Sequence, residues 1–87
     1  MKIADHFFTY HKRGSEALVL MPSDQDEATD TKYYGFLSSE GQWMIQEWDT
    51  ASAPSTIRYI MGHDDYTTAW TGRAALTFVY FSELFYE

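Results

Sequence analysis

Short runs of apolar and aromatic residues, separated by polar turn formers, follow one another along this chain, and this pattern is typical of β-strands. The aromatic-rich run Lys32–Leu37 and the run Gln42–Asp49 are joined by the glycine-ended segment Ser38–Gly41, which predicts a β-hairpin. The segment Thr56–Met61 alternates in the same way and predicts a further strand, which stops at Gly62.

Alternation within residues 42–49 distributes large side chains to both sides of that strand. Trp43 and Ile45 fall on one face. Met44 and Trp48 fall on the opposite face. Because both faces are aromatic and apolar, we expect both to be covered, and in so small a domain a neighbouring chain is a candidate cover for one of them.

The first residues of the chain leave two readings open. Ile3, Phe7 and Tyr10 have the spacing of one helix face. Residues 8–10 suit a short strand equally well, so residues 1–13 are treated as an N-terminal arm or short element.

A strand and an acidic loop are predicted between residues 16 and 31. Glu16–Met21 is a short apolar run that is closed by Pro22, which favours a strand ending there. Residues 22–31 are polar, acidic and rich in turn-forming residues, which indicates a loop.

The hydrophobic period changes after residue 65. Tyr66, Trp70 and Arg73 recur at the spacing of one helix face, and Asp65 stands where an N-cap belongs. We therefore predict a short helix near residues 66–74. Within it, Arg73 lies one turn from Trp70, which favours a cation–π contact.

Two apolar segments complete the chain. Leu76–Phe81 is the most β-prone segment and predicts a strand. Residues 82–87 contain Leu84, Phe85 and Tyr86, so we expect the C-terminus to dock on its own domain or on a neighbour.

These elements predict one domain over residues 1–87, because a chain of this length is the size of a single domain. The expected class is mainly β, with α+β as the alternative. We expect a small antiparallel sheet or sandwich of about four to six strands with one short helix.

Composition and charge narrow the classes of partner. The net charge is -7. Aromatic residues make up 18% of the chain, and this aromatic content argues against disorder. Residues 14–50 hold eight acidic side chains and one lysine, whereas proteins that bind nucleic-acid backbones present basic patches. No apolar run approaches the ~20 residues that span a bilayer. We therefore expect neither nucleic acid nor a membrane as partner.

Candidate chemistry is sparse. His6 and His11 are five positions apart, which is not the spacing of a helical metal pair. A calcium loop that began at Asp24 would need glycine and glutamate where Thr29 and Gly35 stand. Without cysteine, thiolate metal sites are excluded, and neither a nucleophile elbow nor a phosphate loop is recognisable. We expect no enzyme activity, no catalytic or metal-binding residues and no cofactor.

About half of the chain carries a pattern that resembles a known class of proteins. It consists of Tyr33–Leu37, Gln42–Ile45, Arg58–Gly62 and the close Tyr66-x-x-x-Trp70-x-x-Arg73-x-x-Leu76-Thr77-Phe78. It resembles small, mostly uncharacterised virion-associated proteins of tailed bacteriophages, which share a Trp-x-Ile strand, a strand ending near glycine and a Trp-x-x-Arg-Ala-x-Leu-x-aromatic close. The resemblance implies a virion component and does not imply catalysis.

The leading hypothesis is therefore a non-enzymatic structural or interaction subunit of a tailed-phage particle, such as a tail-fibre, baseplate, neck or capsid-decorating protein. It would bind other virion proteins or its own copies, as a homo-oligomer, through β-strand and aromatic contacts. The alternative is a small acidic phage-encoded inhibitor of a host defence system, anti-CRISPR-like or a DNA mimic, in the host cytoplasm. The charge distribution fits that alternative less well, because mimicry requires acids spread along an exposed face.

The residues that we expect to matter are mainly structural. Trp43, Trp48 and Trp70 are predicted packing anchors, and Arg73 is predicted to pair with Trp70 or with a buried carboxylate. The interface candidates are aromatic or apolar residues of a predicted strand and of the C-terminal region, namely Tyr33, Tyr34, Phe81, Leu84, Phe85 and Tyr86.

Overall fold

A computed structural model describes residues 8–11 and 17–84 of the chain. The strands are β1 (Phe8–His11), β2 (Ala17–Asp26), β3 (Thr31–Leu37), β4 (Trp43–Asp49) and β5 (Thr56–Gly62). The helical elements are α1 (Tyr66–Thr71), a 3₁₀ turn (Arg73–Ala75) and α2 (Phe81–Leu84). The mainly β class with a short helix after residue 65 is thus confirmed.

The strands form an antiparallel meander in the order β1-β2-β3-β4-β5. β2 pairs with two strands along its length. Its residues 17–20 pair with β1, and its residues 21–26 pair with β3. The four strands β2–β5 therefore make the main sheet, and β1 extends it beside the first half of β2.

The predicted hairpin between β3 and β4 is confirmed, and one serine organises its turn. The Ser38 hydroxyl accepts the backbone N–H groups of Glu40 and Gln42 at 3.1 Å each, and donates to the Gln42 side chain. Gly41 has φ 93°, a left-handed conformation that favours glycine. The turn chemistry thus fixes the register in which Leu37 faces Trp43.

Large side chains are buried on both faces of the sheet, as the alternation predicted. One face carries Tyr33, Trp43 and Ile45, and α1, the 3₁₀ turn and residues 76–78 pack against it. The opposite face carries a second buried cluster, made of Leu20, Tyr34, Phe36 and Met44. Both clusters are buried within the single chain, so neither of them requires a neighbouring copy to cover it.

The boundary that was expected at Pro22 is wrong. β2 continues through Pro22 to Asp26, and only residues 27–30 form the loop. The pairing with β3 shifts between Pro22 and Asp24, and resumes where Asp24 faces Gly35. Proline lacks the N–H that a regular ladder needs, but a bulge tolerates it. The acidic residues at positions 24 and 26 therefore belong to the sheet.

The strand that was expected over Leu76–Phe81 is also wrong. Only Val79 pairs with the sheet, through two backbone hydrogen bonds to Tyr59 at the outer edge of β5. Leu76 and Phe78 instead turn onto the cluster around Tyr33 and Trp43. Burial of these two side chains outweighs the β preference of the segment.

The helix α1 begins at the residue that the sequence indicated, but without the expected cap. Asp65 is the N-cap residue, yet it is left-handed (φ 55°, ψ 40°) and its side chain makes no capping hydrogen bond. Its backbone carbonyl accepts the Ala69 N–H at 3.0 Å. Aspartate is among the residues that tolerate this conformation, so Asp65 serves the turn into the helix.

Candidate functional site

Arg73 lies in a cluster of polar and aromatic side chains that come from β2, β3 and α1. Its guanidinium carbon lies 4.3 Å from the ring centroid of Trp70 and 5.3 Å from that of Tyr33. The guanidinium also donates to Asp26 Oδ2 at 2.5 Å and to the Trp70 carbonyl at 2.7 Å. The predicted cation–π contact is confirmed, and the carboxylate partner is a half-buried residue of β2.

Two further carboxylates of the same acidic stretch are anchored to the fold. The Tyr66 hydroxyl donates to Asp24 Oδ2 at 2.8 Å, and the Tyr34 hydroxyl donates to Glu27 Oε2 at 2.5 Å. Together with Asp26, these side chains connect the second half of β2 and its following loop to α1, the 3₁₀ turn and β3. Three of the four carboxylates in residues 22–31 therefore take part in the internal hydrogen bonding of the molecule.

These contacts change the acidity of the groups that make them. The hydrogen bond from Arg73, and after it the Ala28 N–H, hold the pKa of Asp26 below its usual value near 3.8. Burial, together with the neighbouring Glu27, raises the pKa of Tyr34 to about 12. The pKa of Tyr66 is also raised, mainly by burial and next by the carboxylate of Asp24.

We expect the free energy of unfolding to fall as the pH rises above about 10. Tyr34 and Tyr66 stay protonated in the folded protein at that pH, whereas the same side chains ionise in the unfolded chain. Urea unfolding at a series of pH values between 8 and 11 measures the loss. Tyr34→Phe should lose less stability across this range, and equal losses in both proteins would contradict the assignment.

Replacing Arg73 with lysine is expected to lower the free energy of unfolding by about 1–2 kcal/mol. Lysine keeps the charge but loses the planar group that stacks on Trp70 and donates to two acceptors at once. Urea unfolding at neutral pH measures the change, with Arg58→Lys as the matched control, because the Arg58 guanidinium stacks on the exposed Tyr80 ring and donates to the Tyr80 hydroxyl. A larger loss in the control would contradict the expectation.

Two glycines of the sheet provide the space in which aromatic side chains pack. A Cβ on Gly35 would lie within 2.0 Å of the Tyr66 hydroxyl and 3.0 Å of the Trp70 ring. A Cβ on Gly62 would lie 2.2 Å from the Trp43 ring. This role of the glycines was not predicted, although a glycine directly opposite a tryptophan in paired strands is a signal that could have indicated it.

The predicted anchors Trp43 and Trp48 both have a partner for the indole N–H. Trp43 is buried, and its Nε1 donates to the Asp64 carbonyl at 2.6 Å. Trp48 is half-buried, packs edge-on to Tyr34 and donates to Gln46 Oε1 at 2.9 Å. The two tryptophans lie on opposite faces, so each fixes a different layer to the sheet.

The structure divides the predicted interface residues. Tyr33 and Tyr34 are 9% and 1% exposed, so their assignment to an interface is corrected: each ring is already buried within its own chain. Phe81 is 54% exposed and packs edge-on to Tyr59, while Leu84 is half-buried. The remaining two candidates, at positions 85 and 86, lie outside the described residues.

Exposed apolar side chains of the described region lie in two places. Val19 and Met21 are 48% and 49% exposed on β2, and neither is among the residues predicted to form an interface. Tyr80 and Phe81 are 49% and 54% exposed beside β5. We call the first pair the β2 patch and the second pair the β5 patch. The two patches lie at opposite ends of the strand order of the main sheet, because β3 and β4 separate β2 from β5.

Comparison with protein-family models, with curated proteins and with solved structures gave no match for this chain. Within residues 8–11 and 17–84, no three histidine or carboxylate side chains come together in a way that could hold a metal ion. None of the helices in the same residues is long and apolar enough to cross a bilayer. The candidate functional features are therefore the two exposed patches and the cluster around Arg73.

Proposed function

We propose that this protein is a non-enzymatic structural or interaction subunit of a tailed-phage particle. It would act as a tail-fibre, baseplate, neck or capsid-decorating protein that binds its own copies or other virion proteins. The resemblance of residues 32–78 supports the particle, and the two exposed apolar patches support the mode of action. The patches are the observation on which the interaction role depends.

The four side chains of these patches are not needed to fill the interior. The cores on the two faces are already composed of side chains that are less than one-tenth exposed, including the fully buried Phe36 and Ile45. Exposed apolar residues are ordinary when they are scattered singly, but adjacent pairs are more typical of contact surfaces. Met21 and Phe81 therefore each keep about half of their surface available to a partner.

The placement of the patches suits repeated assembly. When one surface of a protein binds a different surface of the next copy, each copy can bind a further one in the same way. Such head-to-tail contacts build rings or filaments. Because the β2 patch and the β5 patch lie two strands apart, at opposite ends of the strand order of the main sheet, one copy can contact two neighbours. Rings and filaments of this kind are the forms in which repeated subunits build a particle.

The internal contacts of the acidic stretch favour this role over that of an acidic inhibitor. A DNA mimic needs carboxylates that face outward to a basic partner. Asp24, Asp26 and Glu27 accept hydrogen bonds from side chains of their own fold, although the first and the last of them are exposed. A basic partner would have to compete with these hydrogen bonds. The inhibitor hypothesis is then supported mainly by the acidic residues elsewhere on the surface.

Mass spectrometry of purified particles, together with light scattering of the isolated protein over a concentration series, tests the proposal. We expect the chain among the particle proteins and expect concentration-dependent association. Met21→Lys and Phe81→Lys should weaken association, because a charge on either patch opposes apolar contact. Gln25→Lys adds the same charge at an exposed position of β2 and serves as the control.

Two results would overturn the proposal. One is a chain found in infected cells but absent from particles, which would favour the inhibitor. The other is a protein that stays monomeric and binds no other virion protein, with and without the patch substitutions. Equal weakening by Gln25→Lys would show that net charge, and not the patches, controls association.

A further inference from the structure

The helical segment of residues 66–75 crosses one face of the sheet as a flap, and we call it the lid. It covers the buried cluster of Tyr33, Trp43 and Ile45. The chain leaves β5 at Gly62 to enter the lid, and it returns to β5 where Val79 pairs with Tyr59. Both ends of the lid are therefore attached at the same strand.

Two polar contacts hold the side of the lid that lies away from β5 to strand β2. Near its start, the Tyr66 hydroxyl donates to Asp24. Near its end, Arg73 forms an ion pair with Asp26 at 2.5 Å, in which the two side chains are 23% and 30% exposed. The attachment at β5 is backbone, whereas the attachment at β2 consists of side chains that water can reach.

The lid has the features of a segment with low local stability. Its α-helix has six residues, which is too short to be stable alone, and none of the residues in the helix or the 3₁₀ turn is buried. The lid backbone has few close neighbours in the sheet, because the side chains of Tyr66 and Trp70 lie between the two. A short helix whose residues are all at least partly exposed, and whose backbone has few neighbours, is typical of regions that open before the rest of a domain.

We propose that the lid opens as a unit while the sheet stays folded, by release of the contacts to Asp24 and Asp26 and rotation about its attachment at β5. Opening uncovers the parts of the buried Tyr33 and Trp43 rings that contact Arg73 and Tyr66, while Phe78 outside the lid stays against Tyr33. We call the contacts of the lid to Asp24 and Asp26 the latch. The ion pair with Asp26 is the part of the latch that salt weakens. The inference concerns a conformational device and does not depend on the proposed function.

Native-state hydrogen exchange of the whole chain tests the lid. The Ala69 and Gly72 amides bond within the lid, to the carbonyls of Asp65 and Thr68, and report its opening. The amides of the β3–β4 ladder report unfolding of the sheet. We expect the lid amides to exchange at least about tenfold faster than the ladder amides, with little dependence on low denaturant concentrations.

Substitutions at the latch test its mechanism. Asp26→Asn should speed exchange of the lid amides by about two- to fivefold, and leave the ladder amides unchanged at low denaturant. Tyr66→Phe, which removes the bond to Asp24 without a change of charge, should act in the same direction. Asp30→Asn is the matched control, because Asp30 uses only its backbone carbonyl in the contacts to Thr50.

The proposal fails if the lid amides and the ladder amides follow one denaturant dependence, because the lid then opens only when the sheet unfolds. The role of the latch is disproved if the lid amides exchange no faster in Asp26→Asn and Tyr66→Phe than in Asp30→Asn. Raising the salt concentration gives an independent measurement: faster lid exchange in the unmodified protein, and no effect in Asp26→Asn, supports the latch. A salt effect of the same size in both proteins would overturn it.

Discussion

Replacing Phe36 with alanine is expected to lower the free energy of unfolding by about 3–5 kcal/mol. The ring is fully buried on the face that also holds Leu20, Tyr34 and Met44. Its removal loses the burial of a large apolar side chain and leaves a cavity between neighbours that relax only in part. Since small domains are stable by about 5–15 kcal/mol in total, much of the protein would be unfolded in mild denaturant.

Phe81→Ala is the matched control for this substitution. It removes the same side chain from a position that is 54% exposed, where the ring packs on one face against Tyr59. We expect a loss of no more than about 1.5 kcal/mol there. Urea unfolding, followed by tryptophan fluorescence, measures both variants. Similar losses in the two proteins would contradict the assignment of Phe36 to the core.

The sheet could be predicted from the sequence because alternation is a local signal. β3, β4 and β5 lie within about one residue of the predicted runs, and the faces assigned to Trp43 and Met44 are confirmed. Pro22 was misleading, because a proline ends a regular ladder but not one that contains a bulge. No local pattern distinguishes these two situations.

The C-terminal segment could not be predicted for a different reason. Its β preference is high, but the outer edge of β5 offers it pairing only at Val79. The cluster around Tyr33 offers Leu76 and Phe78 more burial than a strand would. The choice depends on a surface that exists only after the sheet has formed, so propensity alone does not reveal it.

The Arg73 cluster shows the same division between local and distant contacts. The contact with Trp70 was predictable, since residues three apart on a helical turn are neighbours. The pairing with Asp26 spans 47 positions in sequence and depends on the lid crossing from β5 to β2. A sequence in which several carboxylates are available does not indicate which of them the arginine meets.

Replacing Gly62 with alanine is expected to lower the free energy of unfolding by about 2–3 kcal/mol. The added methyl group would lie 2.2–2.9 Å from three atoms of the Trp43 indole, which faces Gly62 across the β4–β5 ladder. The ring cannot turn away freely, because it is 7% exposed and its Nε1 donates to the Asp64 carbonyl at 2.6 Å. Urea unfolding measures the loss.

Gly72→Ala is the control that separates this clash from a general effect of adding a methyl group. At Gly72 the nearest atom to a new Cβ is the Thr68 carbonyl oxygen, at an ordinary 3.6 Å, and φ is -98°. We expect Gly72→Ala to lie within about 1 kcal/mol of the unmodified protein. A smaller ring at position 43 should recover part of the loss, so Gly62→Ala combined with Trp43→Phe should be more stable than the sum of the single losses implies. Strict additivity would mean that the indole does not cause the clash.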